Sequence, residues 1–358
     1  MPWSTPTLRD TRRMTRDYVL SQLKAKAMIP NSALRIMSDA KAGLAHLAFL
    51  YLDWLAKQLL PDTAEQEWLD RHGVIWLVNS DGSKGRKAAT YATGVVRFGG
   101  IVGYTVPGGT TLTGANGVGY QTLVDAEIGS GGIGDASTVA LTAGTAGNLP
   151  DGDELGLQLP IDGIDTATLY GDMSGGVDEE TDDRLRERIL FRIQNPPMGG
   201  SQGDYVSWAR ACPGVTRAWA ACEIGPGTMT VRFLMDDMYP DNHGLPEEDD
   251  IAVVRDYIYS KRPVTVVDCF VLAPLLFFYD ITIRGLTVDD PTVRARIEAA
   301  IKDMEMRRSQ PGQTMYRSWV DEAISSAVGE ETHELDFETT VMPAPGYMPT
   351  LGTVLYVV

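Results

Sequence analysis

Cysteine and histidine are scarce in this chain. Three cysteines (Cys212, Cys222, Cys269) and four histidines stand among 358 residues. No cysteines form a CxxC pair and no histidines an HxxxH pair, so neither a disulfide framework nor a zinc site is indicated. Three thiols cannot all pair, and the chain is expected to fold in a reducing cytoplasm with no metal and no cofactor. Basic residues are also few: 31 Lys plus Arg stand against 48 Asp plus Glu, a formal net charge of -17. Such a surface repels a phosphate backbone, and no dense Lys/Arg run offsets it, which excludes a nucleic-acid partner. A long hydrophobic run is missing as well. The most apolar helical stretch, Leu44 to Leu60, contains Asp53 and Lys57, and its uncharged part falls short of the ~20 residues of a membrane span. Met1-Pro2-Trp3-Ser4 lacks the apolar core of a secretory signal. No membrane partner is expected.

What is present suits a folded, multidomain chain. Hydrophobic residues make up 44% and charged residues 22%, and at about 150 residues per domain the length allows two to four units. Residues 7 to about 75 read as helical. Leu34, Met37, Leu44, Leu47, Tyr51, Trp54 and Leu55 recur at three- and four-residue spacings and form one apolar face. Asn31-Ser32 can cap this helix and Pro61 can end it. A helix of roughly 45 Å with such a stripe needs partner helices, from this chain or another. Residues 88 to 170 alternate short β-rich pieces (Tyr91 to Phe98, Tyr104 to Val106, Tyr120 to Val124, Ser137 to Leu141) with glycine clusters, which predicts an antiparallel β domain. Beyond it, helical stretches (Asp178 to Gln194, Asp204 to Ala211, Glu247 to Lys261, Pro291 to Arg307, Tyr316 to Val328) alternate with strands. Those strands are Val215 to Glu223, Thr228 to Met235, Val264 to Leu272, Leu276 to Val288, Leu335 to Val341 and Thr353 to Val357. The reading is a multidomain α+β protein: a helical segment 1–80, a β domain 81–172, an α+β domain 173–273 and a second α+β domain 274–358.

Several motifs tempt and fail. Gly129-Ser130-Gly131-Gly132-Ile133-Gly134 satisfies GxGxxG, but a strand rather than a helix is expected after it, so these are turn glycines. Gly199-Gly200-Ser201-Gln202-Gly203 satisfies GxSxG, with His243 or His333 as conceivable partners. A nucleophile elbow needs a strand before the serine, and Asn195-Pro196-Pro197-Met198 cannot be one. Ser201 is read as a helix N-cap. The acidic cluster Asp236, Asp237, Asp241 and Glu247 to Asp250 lacks a calcium-loop spacing and is read as a solvated loop. Gly82-Ser83-Lys84-Gly85-Arg86-Lys87 has phosphate-loop composition but not the GxxxxGK(S/T) register, and is read as an exposed basic loop. No catalytic residue emerges. A serine hydrolase on Ser201 and a glycan-binding adhesin on the β domain remain as alternatives.

Two longer stretches are more specific. The first runs Gly103-Tyr104-Thr105-Val106-Pro107-Gly108-Gly109-Thr110, then Tyr120-Gln121-Thr122 and Ala146-Gly147-Asn148-Leu149. The second runs Gly175-Gly176-Val177-Asp178-Glu179-Glu180-Thr181-Asp182-Asp183, then Gly199-Gly200-Ser201, Asp204-Tyr205, Trp208-Ala209 and Pro213-Gly214-Val215. In order and spacing they resemble the baseplate J-like protein family, the inner wedge proteins of contractile phage tails. The resemblance covers roughly residues 85 to 358. Asp178, Thr181, Asp204, Tyr205, Trp208, Pro213 and Gly214 are then structural positions: an acidic first helical turn, an aromatic pair on one helix face, and the turn into a strand. The resemblance implies a virion protein assembled in the host cytoplasm. It implies two copies joined to a smaller wedge protein through an N-terminal helical bundle. A sheath-initiating, lysozyme-like wedge protein would lie against that bundle, and hub and spike proteins inside the ring.

Overall fold

The computed structural model describes residues 4–24, 26–263, 266 and 268–357. It has a mixed α+β architecture. Two helices form an N-terminal hairpin, α1 (Leu8–Leu23) and α2 (Ala33–Gln58). Each begins at a side-chain cap: the Thr7 hydroxyl accepts from the Asp10 N–H at 3.2 Å, and the Ser32 hydroxyl from the Arg35 N–H at 3.4 Å. Arg16 clamps Asp39 across the hairpin, Nε to Oδ1 at 2.7 Å and Nη2 to Oδ2 at 2.5 Å. A third helix, α3 (Gln66–Trp76), follows a turn held by Trp54 Nε1, which donates to Glu65 Oε1 at 3.0 Å.

The glycine-rich region folds into β1 (Thr93–Gly100), β2 (Thr105–Val106), β3 (Thr111–Thr113), β4 (Gly119–Thr122), β5 (Ala126–Glu127), β6 (Ile133–Ala140), β7 (Gly156–Leu157) and β8 (Ile164–Leu169). Six of these strands make one antiparallel sheet, in the order β7-β3-β4-β6-β1-β8. Its two ends meet: the Leu155 N–H donates to Ala167 O and the Leu169 N–H to Asp153 O, both at 2.9 Å. The sheet therefore curls into a nearly closed barrel, which removes the exposed edges an open sheet would leave. Inward residues alternate along β6 and fill the interior with Val96, Phe98, Leu112, Tyr120 and Ile128.

Two α+β units follow. The first holds α4 (Asp182–Gln194), α5 (Gln202–Ala211), β9 (Arg217–Ala221), β10 (Thr228–Leu234), α6 (Glu248–Lys261) and β11 (Asp268–Leu272). Its sheet runs β11-β10-β9, with β10 parallel to β11 and antiparallel to β9. Tyr205, Val231, Phe233 and Ile258 lie at its centre. Of the expected strand Val264 to Leu272, the part from Asp268 is strand, while Val264, Thr265 and Val267 lie outside the described residues, as do Met1, Pro2, Trp3, Ala25 and Val358. The α3 helix packs on α4, through Leu69 and Leu77 against Leu185 and Ile189.

The second unit holds β12 (Leu275–Arg284), α7 (Pro291–Arg308), α8 (Arg317–Ser325), β13 (Glu334–Asp336) and β14 (Tyr347–Val357), in the sheet order β13-β12-β14. The last strand begins six residues before the expected Thr353 and runs through Pro349. It can do so because β14 is an edge strand whose Tyr347 and Pro349 carbonyls face outward, to the Gly312 N–H at 2.7 Å and the Ser309 hydroxyl at 2.7 Å. A proline at that outward position removes no ladder donor.

In this last core the Tyr279 hydroxyl donates to half-buried Glu305 at 2.7 Å. Burial pushes the Glu305 carboxyl up to about 7, against the pull of that hydrogen bond and of Arg217 and Lys302. Unfolded, the same carboxyl titrates near its ordinary value. As pH rises between those two values the unfolded chain has lost a proton that the folded chain keeps, so stability falls. From pH 5 to 7 the parent protein should lose about 2 kcal/mol more unfolding free energy than Glu305→Gln, read from urea titrations at the two pH values.

Candidate assembly interface

The hairpin has almost no interior of its own. In α1 the buried residue is Thr11, and in α2 the buried residues are Ser38, Ala42 and Gln58, none of them large and apolar. The stripe on α2 faces outward instead: Leu34, Met37, Leu44, Leu47 and Tyr51 keep between 42% and 69% of their surface exposed. Trp54 and Leu55 are half-buried, and the Trp54 ring meets Trp68 edge-on at 6.4 Å. Ile36, Leu50 and Leu52 add to the exposed apolar surface. Exposed apolar surface of this extent is unusual on a free-standing domain and marks a candidate contact surface.

At the other end of the chain's acidic motif the side chains are structural. Thr181 caps α4, its hydroxyl accepting from the Arg184 N–H at 3.4 Å. The helix starts at Asp182, not at Asp178 as its acidic run suggests, because Thr181 takes the capping position. Asp178 is left to accept from the Thr145 N–H and hydroxyl at 2.9 and 3.0 Å, which ties this segment to a barrel loop. In α5, Ser201 and Asp204 form a reciprocal cap. The buried Asp204 carboxylate accepts from the backbone N–H groups of Met198, Gly200 and Ser201 at 3.1, 2.7 and 2.9 Å. Burial alone would raise its pKa, and these three donors hold it below the usual carboxylate range. Tyr205 is fully buried with Trp208 edge-on at 4.9 Å. Pro213-Gly214 turns into the following strand. Gly214 has φ +72 and lies so close to Met235 Cε that a Cβ would collide with it.

The residues that join these parts were not visible as a site in the sequence. Arg86 and Lys87 were expected in an exposed basic loop, yet both are half-buried. Lys87 Nζ donates to the carbonyls of Arg210, Cys212 and Val215 at 3.3, 3.0 and 2.9 Å, satisfying acceptors that the end of α5 leaves unpaired. Burial, with Arg188 nearby, pulls its pKa down to about 7. Arg188 is buried with Glu180, Nη1 lying 2.9 and 2.8 Å from the two carboxylate oxygens, and its Nη2 donates to Asn79 Oδ1 at 2.7 Å. Burial lowers the Arg188 pKa, against the pull of Glu180. Arg86 bridges Asp70 of α3 and Asp182 of α4 at 2.9 and 2.6 Å. One cluster thereby joins α3, the 79–87 loop, α4 and the end of α5. The legible sign was Glu180, an acid among acids that needs a cation.

Elsewhere the tempting motifs form turns and caps. The Ser201 hydroxyl accepts from the Asp204 N–H at 3.3 Å. His243 packs on Phe278 at 5.5 Å, and His333 bonds Glu330 and Asp321 at 2.9 and 3.2 Å, so neither ring is engaged with Ser201. The 129–134 glycines lead into β6. Asp236 of the acidic loop is not solvated: it is clamped by Arg217 at 2.9 and 2.7 Å. Among the described residues no group of three or more His, Cys, Asp or Glu is placed to hold a metal ion, and no helix is long and apolar enough to cross a membrane.

Removing Glu180 would strand a buried guanidinium. Glu180→Ala should cost about 3–5 kcal/mol, seen as a lowered urea midpoint. Trp208→Ala, which truncates a half-buried aromatic on Tyr205, should cost about 2 kcal/mol in the same measurement.

Comparison with known proteins matches three family models in chain order: the baseplate J-like protein barrel domain over residues 95–176, the baseplate J-like central domain over 197–273 and the baseplate J-like protein C-terminal domain over 279–357. The baseplate protein gp47 of Escherichia phage Mu is 30% identical over 368 residues, covering 99% of each chain. The Mu-like prophage FluMu protein gp47 of Haemophilus influenzae is 30% identical over 354 residues, covering 95% of each. The Escherichia coli protein JayE is 34% identical over 234 residues, 65% of this chain and 87% of its own length. With three successive domain matches and relatives aligned almost end to end, this chain belongs to the baseplate J-like protein family.

Proposed function

We propose that this protein is a structural wedge subunit of a contractile-tail baseplate, that it forms part of the inner ring around hub and spike, and that it is not an enzyme. The observation that carries this reading is the α1–α2 hairpin, a pair of helices with an exposed apolar stripe and almost no core. Leu34, Met37, Leu44, Leu47, Tyr51, Trp54 and Leu55 are the proposed contact residues. The proposed occupants are the α2 helix of a second copy and a smaller wedge protein, with a sheath-initiating, lysozyme-like wedge protein against the resulting bundle. Covering each exposed Leu or Met contributes about 1.5–3 kcal/mol, enough in sum to order a bundle that the hairpin alone does not support. The domain scheme proposed with it is a helical segment 1–80, a barrel region 81–172 and α+β regions 173–273 and 274–358, the last meeting neighbours in the ring. Contraction opens such a ring, so its contacts are proposed to be polar and separable. Assembly takes place in the host cytoplasm and the product resides in the virion. Neither nucleic acid nor membrane is a partner.

Mass spectrometry of purified particles should find this chain; particles complete without it would overturn the proposal. Leu47→Asp should abolish co-purification with the smaller wedge protein while the melting temperature of the free chain stays unchanged. Trp54→Asp should do the same and also lower stability slightly, through the lost contacts with Glu65 and Trp68.

A further inference from the structure

The chain's charge is divided unevenly. Residues 88–176 hold nine acids against one base, Arg97, so this region carries nearly half of the net charge of -17. Arg97 is itself occupied by Asp135, with Nε to Oδ1 at 2.8 Å, and its guanidinium lies over Tyr170. Residues 4–41 show the opposite balance, eight bases against three acids.

One end of the barrel is also apolar. The 100–104, 128–133 and 159–164 loops are bonded to one another: the Ile101 N–H donates to Gly163 O at 2.7 Å, the Gly103 N–H to Ile128 O at 2.9 Å and the Gly100 N–H to Gly132 O at 3.0 Å. Together they present Ile101, Val102, Tyr104, Ile133 and Leu159, each between 43% and 75% exposed. Around them stand Glu127, Asp162 and Asp165, exposed and without an ion-pair partner among the described residues. An aliphatic patch of this kind suits a protein side chain better than a sugar, which stacks on aromatic rings and needs a set of polar donors.

The turn of the N-terminal hairpin has the complementary character. Leu23 and Ile29 are 56% and 76% exposed, and Lys24 and Lys26 flank them in the open. The body holds the far end of α2, at Trp54 and Gln58. The 26 residues of α2 therefore carry this turn about 39 Å from its anchor.

We propose that the apolar, acid-ringed end of the barrel is the seat for the basic hairpin turn of a second copy of this chain. Leu23 and Ile29 would cover the aliphatic patch while Lys24 and Lys26 meet Glu127, Asp162 and Asp165. The two surfaces differ, so the contact is head-to-tail and propagates from copy to copy, the kind of interface from which rings are built. Charges at the rim of such a contact govern partner choice and make it weaken with salt.

The test uses full-length chains carrying Leu47→Asp, so that association through the α2 stripe does not contribute and failure of the bundle reading is read separately. Self-association is measured by sedimentation velocity at low and high salt. The expected result is association that falls with salt. It should weaken about tenfold in Asp162→Lys/Asp165→Lys and equally in Lys24→Glu/Lys26→Glu, and return when the two charge-reversed proteins are mixed. Matching circular dichroism and melting temperatures establish that both remain folded. A parent chain that stays monomeric at its highest soluble concentration, reversals that leave association unchanged, or a mixture that fails to restore it would each overturn the proposal.

Discussion

The buried pairing of Arg188 with Glu180 is the constraint on which the body of this protein depends. Two ionised groups taken out of water are tolerated only when each is neutralised and its remaining donors and acceptors are filled. Here Asn79 fills one side of the guanidinium, while the Lys87 N–H meets Glu180 Oε2 at 3.1 Å. Lys87 then carries the connection to the last carbonyls around α5, and Arg86 carries it back to α3 and α4. The helices that bear the hairpin and the unit that follows the barrel are thus held by this polar cluster together with the apolar contact of Leu69 and Leu77 on Leu185 and Ile189. Breaking this pair by displacing either partner would leave a buried charge uncompensated, which is costly.

The same contacts hold the base of the hairpin. The hairpin projects a face with no large apolar partner among the described residues. The base is anchored where Trp54 and Gln58 meet Glu65, and α3 behind it is packed and ion-paired onto α4. The barrel is coupled to the same region through Asp178 and Thr145.

Much of the local structure was legible in the sequence. Ser32 and Ser201 stand where their caps form, since a hydroxyl just before a helix has one obvious use. Where readings failed, the missing partner was distant in the chain. Asp178 lies outside the helix because Thr145 claims it. Arg86 and Lys87 are drawn inward by Glu180 and by α5, roughly a hundred residues further on. Pro349 sits inside a strand because that strand is at an edge.

By itself the sequence determined most of the helical and extended segments, that α2 carries an apolar stripe, and that Ser201 caps a helix; these follow from spacing along the chain and from neighbours a few residues away. Only the tertiary structure decided that the sheet curls into a nearly closed barrel, that the stripe stays uncovered within one chain, and that an unremarkable basic loop links α3, α4 and the end of α5. The physical reason is that burial and charge pairing are properties of groups brought together in space, and a residue's place in the chain does not reveal which carboxylate or carbonyl will face it.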